Sequence, residues 1–233
     1  NSIDFALTNV IGTVNLLNAA KNNWNNNGDH LFYHISTDEV YGSLGLGGSF
    51  KESTKYDPKS PYSASKASSD HFVRSYYNTH NLPIVISNCS NNYGPFQHNE
   101  KFIPTIIKSI KQKKVLPIYG DGSNIRDWLY VSDHVLAIEI IFNKGKVGES
   151  YNVGGGFEIS NKDLVLKIIE FYKKLTNDNF NFNQLIKYVD DRKGHDFRYS
   201  IDSSKLKQEL GWEPKINFNK GLIKTINWYS ENI

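Results

Sequence analysis

Asp38 and Glu39 stand side by side in the stretch His34-Ile35-Ser36-Thr37-Asp38-Glu39-Val40-Tyr41-Gly42, directly after an apolar run from Leu31 to Ile35. An apolar run that stops at Ser-Thr-Asp-Glu puts two hydroxyls and two carboxyls at the carboxyl end of a strand, where open α/β sheets bind ligands. Adjacent carboxyls serve as acid and base when their surroundings push their pKa values apart; the same residues also make an ordinary acidic turn. Tyr62 and Lys66 are four residues apart and so share one face of a helix. A second apolar run, Leu82 to Ser87, ends in Asn88-Cys89-Ser90-Asn91-Asn92-Tyr93-Gly94-Pro95, again a polar cluster at a strand's end. His34, inside the first strand, reads as a packed core residue rather than a ligand. No His, Cys or carboxylate spacing suggests a metal.

These side chains need elements to hold them. Apolar residues at 3, 7, 10, 11, 14, 16 and 17 predict a helix over 3–20, and Gly12 inside it implies close packing against another backbone. A strand follows at 31–36. The glycine-rich loop Gly42 to Gly48 lacks the strand–helix context of a phosphate-binding loop and reads as a flexible connection. Ser60-Pro61 opens a helix to about Thr79, with Ser at the N-cap and Pro at the first helical position. Two strands separated by a helix point to a parallel βαβ arrangement. Beyond them the pattern predicts a helix at 102–112, a strand at 116–119, a turn at Gly120-Asp121-Gly122-Ser123 and an extended segment at 127–131. A helix capped by Ser132 or Asp133 runs to about Asn143, and a strand at 150–153 closes on three glycines. Ser160 and Asp163 resemble a capping box for a helix at 161–174, Asp202 caps one that stops at Gly211, and a last helix covers 219–230.

Composition narrows the class. The chain has 233 residues and a net charge of +3 with no basic tract, so nucleic acid is not an expected partner. One cysteine cannot form an internal disulfide, which implies a reducing, cytoplasmic compartment. No apolar run reaches the roughly 18 residues of a membrane span, and no signal peptide opens the chain. There is no Met anywhere, and residue 1 falls directly before a helix, so the residues are expected to be the later part of a longer polypeptide. The tract at 22–27, rich in Asn, reads as an exposed loop.

The motifs together resemble the extended short-chain dehydrogenase/reductases, and within them the nucleoside-diphosphate-glucose 4,6-dehydratases of the thymidine type. The resemblance rests on Ser36-Thr37-Asp38-Glu39-Val40-Tyr41-Gly42, Pro61-Tyr62-Ser63-Ala64-Ser65-Lys66 and Asn91-Asn92-Tyr93-Gly94-Pro95. It continues through Leu116 to Gly122, Arg126-Asp127-Trp128-Leu129-Tyr130-Val131, Asp191 to Asp196 and Leu210-Gly211-Trp212-Glu213-Pro214. It implies an α/β fold: a Rossmann-like parallel sheet, missing the first third of its domain with the opening strand and its glycine turn, and a smaller C-terminal substrate-binding α+β domain. The expected division is 1–101 with 126–155 for the NAD-binding part and 102–125 with 156–233 for the nucleotide-sugar part.

The resemblance also implies a reaction. NAD oxidises the glucose unit of dTDP-glucose or UDP-glucose at C4, water leaves across C5 and C6, and the redox equivalent returns to C6. The product is a 4-keto-6-deoxy sugar nucleotide for deoxysugar (rhamnose-type) biosynthesis. A free phenol ionises near pH 10. Lys66 would lower that value for Tyr62, the base for the 4-hydroxyl. Glu39 would take the C5 proton and Asp38, kept neutral, would protonate the departing C6 oxygen, the pair titrating together. Thr37 would bond the 4-oxygen. Thr8, Ser36 and Asn92 join Tyr62 and Lys66 as cofactor contacts. Substrate contacts are Thr37, Asn91, Lys101, Phe102, Pro117, Ile118, Tyr119, Arg126, Asn161, Asp191, Arg192 and His195, with Arg126 and Arg192 as bidentate phosphate ligands. A homodimer is expected through helices 3–20 and 62–79, with Phe72, Val73 and Tyr76 exposed. Two other readings stand beside this one: a sugar-nucleotide epimerase or decarboxylase of the same family, and an inactive sugar-nucleotide-binding fragment. Hexose 4-epimerases need no acid–base pair for C5 and C6 and usually carry a small residue at the position of Asp38.

Overall fold

A computed structural model describes residues 2–24, 30–191 and 193–232; Arg192 and residues 25–27 of the Asn tract lie outside the described residues. The helices α1 (Ser2–Phe5) and α2 (Gly12–Asn23) are joined without a break by a π-helical turn, Ala6–Ile11. Then come β1 (Phe32–Thr37), a 3₁₀ turn (Asp38–Tyr41), α3 (Pro61–His80), β2 (Ile84–Cys89), β3 (Asn91–Tyr93), α4 (Phe102–Lys111), β4 (Leu116–Tyr119) and β5 (Ile125–Tyr130). The chain ends with α5 (Val131–Lys144), β6 (Ser150–Val153), β7 (Glu158–Ser160), α6 (Asn161–Thr176), β8 (Ile186–Val189), α7 (Ser204–Leu210) and α8 (Phe218–Asn232).

The order β1-β2-β6 is parallel throughout. Helices α3 and α5 are the crossovers that parallel pairing demands. Two smaller sheets, β3-β5-β7 and β4-β8, carry the far side of the site. Ser60 starts α3 with a reciprocal capping box and Pro61 in the first turn. In α4, Ile103, Ile106, Ile107 and Ile110 form one buried stripe. They join Leu164, Val165 and Ile168 of α6 and Leu222 and Ile226 of α8 in the largest core cluster. Leu206 and Trp212, from the stretch expected in the smaller unit, pack instead with Val85, Tyr151 and Val153 of the parallel sheet.

Several local expectations change. Gly12 meets no foreign backbone: a side chain there would touch only the Leu7 carbonyl, to which Gly12 N–H is bonded across the π turn. The second strand starts at Ile84 rather than Leu82, because Pro83 has no N–H to donate; its carbonyl accepts from Phe32. Asp133 does not cap α5, which Tyr130 precedes without a side-chain cap. Its carboxylate accepts from the backbone N–H groups of Lys215 and Ile216. The loop at 42–48 is laced down: Arg198 donates to the carbonyls of Gly45 and Gly48, and Leu44 bridges Arg198. Gly42, Gly45 and Gly48 do stand at G-x-x-G-x-x-G spacing, but no helix follows, so there is no helix N-terminus for a phosphate. Val73 is buried, and Tyr76 is half-buried with its hydroxyl on Asn18; Phe72 is exposed.

Candidate functional site

The carboxyl end of β1 turns at once into the 3₁₀ segment because Thr37 caps it: its hydroxyl oxygen accepts from Glu39 N–H at 3.3 Å. That turn drives Asp38 inward, 2% exposed, with Oδ1 accepting from the Thr37 hydroxyl at 3.2 Å. Its Oδ2 is buried with no partner among the described residues. Burial pushes the Asp38 pKa well above the usual carboxylate range, and the charges of Glu39 and Asp127 add to this. Arg126 and the Thr37 hydroxyl pull the other way. The balance favours a neutral acid.

Tyr62 comes from the first turn of α3, its ring edge-on to Phe5 at 5.6 Å. The expected pull of Lys66 does not dominate it. Burial, followed by Glu39, Cys89, Asp38 and Asp70, pushes Tyr62 up to about 12. Lys66 instead donates to the Ile35 carbonyl at 2.8 Å, and burial draws its pKa down. Tyr62 is therefore a neutral phenol until a further cation arrives. The nicotinamide end of NAD is such a cation. The residues present fit it: a half-buried ammonium and a phenol flank the carboxyl end of β1, and beside them the buried Asn91 Oδ1 has no partner among the described residues.

A cleft of about 570 Å³ runs from Glu39 and Tyr62 to the far side of the molecule; Thr37, Asp38 and Lys66 are not among the residues that line it. It is lined by Glu39, Tyr62, Asn91, Lys101, Phe102, Tyr119, Arg126, Asn161 and His195, nine of the residues singled out in the sequence. Lys101 precedes α4, Asn161 opens α6, and Tyr119 ends β4. His195 Nδ1 lies 2.6 Å from Asp191 Oδ1 at the rim. Arg126 is buried, its guanidinium donating to the carbonyls of Ile125, Asp196 and Phe197. It also stacks on Tyr199 at 4.4 Å. Nη1 and Nη2 both donate to backbone carbonyls, so the guanidinium is held by the chain itself at the cleft wall.

Other expected contacts do not line the cleft. Ser36 gives its hydroxyl to Asp70 at 2.8 Å, and Thr8 is exposed on the π turn. Asn92 spends its amide on Ser90 O at 3.1 Å and on His134 Nδ1 at 2.9 Å. The Ile118 side chain is in the core, so only its backbone could meet a ligand, while Pro117 is half-buried beside it. His34 is buried, with Nε2 3.0 Å from Asp70 Oδ1.

Sequence reasoning missed Phe5, Trp128, Asp196 and Tyr199 in the lining, and Asp127 and Asp70 behind it. Asp127 had a signal. It sits between Arg126 and Trp128, ahead of three glycines, and its carboxylate accepts from Gly155 and Phe157 N–H, both at 3.1 Å. Gly155 leaves room for this: a Cβ there would stand 1.9 Å from the Trp128 carbonyl oxygen.

The family profile described as GDP-mannose 4,6 dehydratase matches residues 1–225. A probable dTDP-glucose 4,6-dehydratase of Sinorhizobium fredii is 52% identical over 234 residues, covering 98% of this chain and 67% of the relative. Among solved structures, the dTDP-glucose 4,6-dehydratase of Bacillus anthracis in complex with NAD superposes at TM-score 0.89 with 47% identity, covering 100% of this chain and 70% of that one. DesIV of Streptomyces venezuelae, a dTDP-glucose 4,6-dehydratase with NAD and TYD bound, gives 0.92 at 42% identity, covering 100% and 68%. The chain thus spans about two thirds of the length of the relatives it matches.

Proposed function

From the premise that the chain belongs to the GDP-mannose 4,6 dehydratase family, we infer that it carries the chemistry of an NAD-dependent 4,6-dehydration of dTDP-glucose, a hydro-lyase reaction. The observation that carries this reading is Asp38: a buried carboxyl, biased to its acid form, next to Glu39 and within electrostatic reach of Tyr62. Bound NAD supplies the redox chemistry, accepting hydride from C4 and returning it at C6. The chain's own residues move the protons. Tyr62 takes the 4-hydroxyl proton, and Thr37 bonds the 4-oxygen. Once C4 is a ketone the C5 proton is acidic, and Glu39 at the cleft wall removes it. Asp38 gives its proton to the C6 oxygen, which leaves as water, and the two carboxyls exchange roles as acid and base.

Residues lining the other wall hold the nucleotide. Tyr119, with the backbone of Pro117 and Ile118, forms a side wall for the base. Lys101 and Lys193 supply positive charge for the diphosphate, with Arg192 assigned to it from the sequence alone, and Arg126 backs the wall. Phe102, Asn91, Asn161 and His195, the last oriented by Asp191, complete the set. Thr8, Lys66 and Asn92 belong to the cofactor side. A 4-epimerase has no use for a protonated Asp38, which is why the acid–base pair favours dehydration. The test is direct: purified protein with NAD and dTDP-glucose gives a product lighter by one water in mass spectrometry, while UDP-glucose, which lacks the thymine methyl and adds a ribose 2′-hydroxyl, reacts more slowly. A product of unchanged mass with inverted C4 would instead establish epimerisation.

Two further features follow from the surface. Ile3, Leu7, Ile11 and Phe72 are exposed on α1, the π turn and α3, and a homodimer formed through that face covers them; sedimentation that shows only monomer at micromolar concentration contradicts it. The working compartment is the cytoplasm, in keeping with the free Cys89. Among the described residues no helix is long and apolar enough to cross a membrane.

A further inference from the structure

Asp70 has no place in the proton transfers above, yet it is fully buried and collects donors from three directions. His34 Nε2 of β1 lies 3.0 Å from its Oδ1, and Oδ2 accepts from the Ser36 hydroxyl at 2.8 Å. The Tyr56 hydroxyl donates to the same oxygen at 2.8 Å, and Asn88 of β2 approaches it at 3.5 Å. A carboxylate with this many donors is held in one orientation. Along α3 it stands four residues after Lys66 and eight after Tyr62, on the face those two share. Ser36 is the residue immediately before Thr37-Asp38-Glu39. One side chain thus ties the helix bearing the phenol and ammonium to the strand end bearing the acid–base pair.

We propose that Asp70 is a positioning residue: it clamps the carboxyl end of β1 to α3 and keeps a fixed negative charge one helical turn behind Lys66. This rests on the dehydratase reading for its role in turnover, but not for the electrostatics. The charged and titratable groups facing Asp70 are His34 from β1, Tyr41 and Tyr56 from the segment after it, and Tyr62 and Lys66 from α3 itself, with Arg74 one turn further along that helix. Its charge raises the pKa of both Lys66 and Tyr62. Removing that charge lowers both, so the whole pH–rate bell slides toward acid. A loss of mere packing lowers its height and leaves its limbs in place.

The experiment is Asp70→Asn, which keeps shape and removes charge. Competitive acetylation of lysines across pH 7–11 (read at Lys66 by mass spectrometry) needs no turnover. The expected result is a Lys66 midpoint lowered by roughly one pH unit, together with an acid-shifted kcat profile; Asp70→Glu restores the midpoint. An unmoved Lys66 midpoint in folded D70N protein overturns the proposal, whether or not activity falls. Should D70N fail to fold, Ser36→Ala and Tyr56→Phe each cut one tether and keep the charge. Each then lowers kcat about ten-fold at unchanged KM, and unchanged kcat in both overturns the clamp. If the protein dehydrates no sugar nucleotide, the labelling result still stands or falls by itself.

Discussion

The two walls of the cleft are built on opposite plans. The sheet wall, from the end of β1 and the start of α3, holds its ionisable groups out of water: Asp38 is 2% exposed and Asp70 is 0% exposed. The opposite wall, from β4, α4, α6 and the 193–199 strap, presents Lys101, Lys193 and the His195–Asp191 pair near solvent. Burial is expensive for charge, so the first wall runs on shifted pKa values and fixed hydrogen bonds. The second carries its charged side chains where a highly charged ligand can recruit them. Chemistry is placed where water is scarce, and recognition where charges stay mobile and screened.

The contrast breaks most severely at Asp38. Asp38→Asn keeps the shape and removes the proton, and product formation is expected to fall by about 10² to 10⁴ at little change in KM; steady-state kinetics on dTDP-glucose checks this. Tyr62→Phe is expected to fall in the same range and, unlike D38N, to abolish formation of reduced cofactor in a single turnover.

A change to the packing behind the second wall acts on stability rather than turnover. Ile106→Ala empties a fully buried site in the α4 stripe. It is expected to cost about 2–5 kcal/mol in chemical denaturation.

Asp127 gives a pH signature for the dry wall. Its folded pKa is raised to about 6, mainly by burial, against an ordinary value of 3.8. The neutral form is therefore favoured by folding, so the stability it contributes is fully present below pH 3.8 and is lost as pH rises through 6. Asp127→Asn is expected to remove roughly 3 kcal/mol of that pH dependence, at most, between pH 4 and 7. Denaturation curves at several pH values read it.

The smallest effect is expected at the solvated rim. His195→Ala should raise KM by less than about ten-fold and leave kcat near its original value, since the Asp191 end of the pair is exposed and such a pair contributes about 1 kcal/mol. A larger loss of kcat would move His195 to the chemical wall.

Much of this was legible in the sequence because the relevant physics is local. The Ser60-Pro61 start of α3, the isoleucine stripe of α4 and the polar ends of β1 and β2 follow from capping, periodicity and parallel crossover rules. Non-local pairing was not legible. Strand β8 has little core contact to mark it, being read as a strand only through its pairing with β4. Strands β3 and β7 are three residues each, too short for a period to show. Site residues followed the same division. Asp38, Glu39, Tyr62 and Lys66 announce themselves by spacing, while Tyr199 under Arg126 and Asp127 behind Asp38 depend on contacts between distant stretches. Arg126 itself was recognised by charge, and only the fold reveals that its donors go to carbonyls.

The most direct test of the account is the protonation state of Asp38 in the resting protein. Carboxyl ¹³C NMR of aspartate-labelled protein, with D38N to assign the signal, follows it across the pH range. The expected result is an Asp38 that remains protonated near neutral pH and titrates together with Glu39. An Asp38 that ionises alongside the exposed aspartates near pH 4 would contradict the claim that a dry wall supplies the acid.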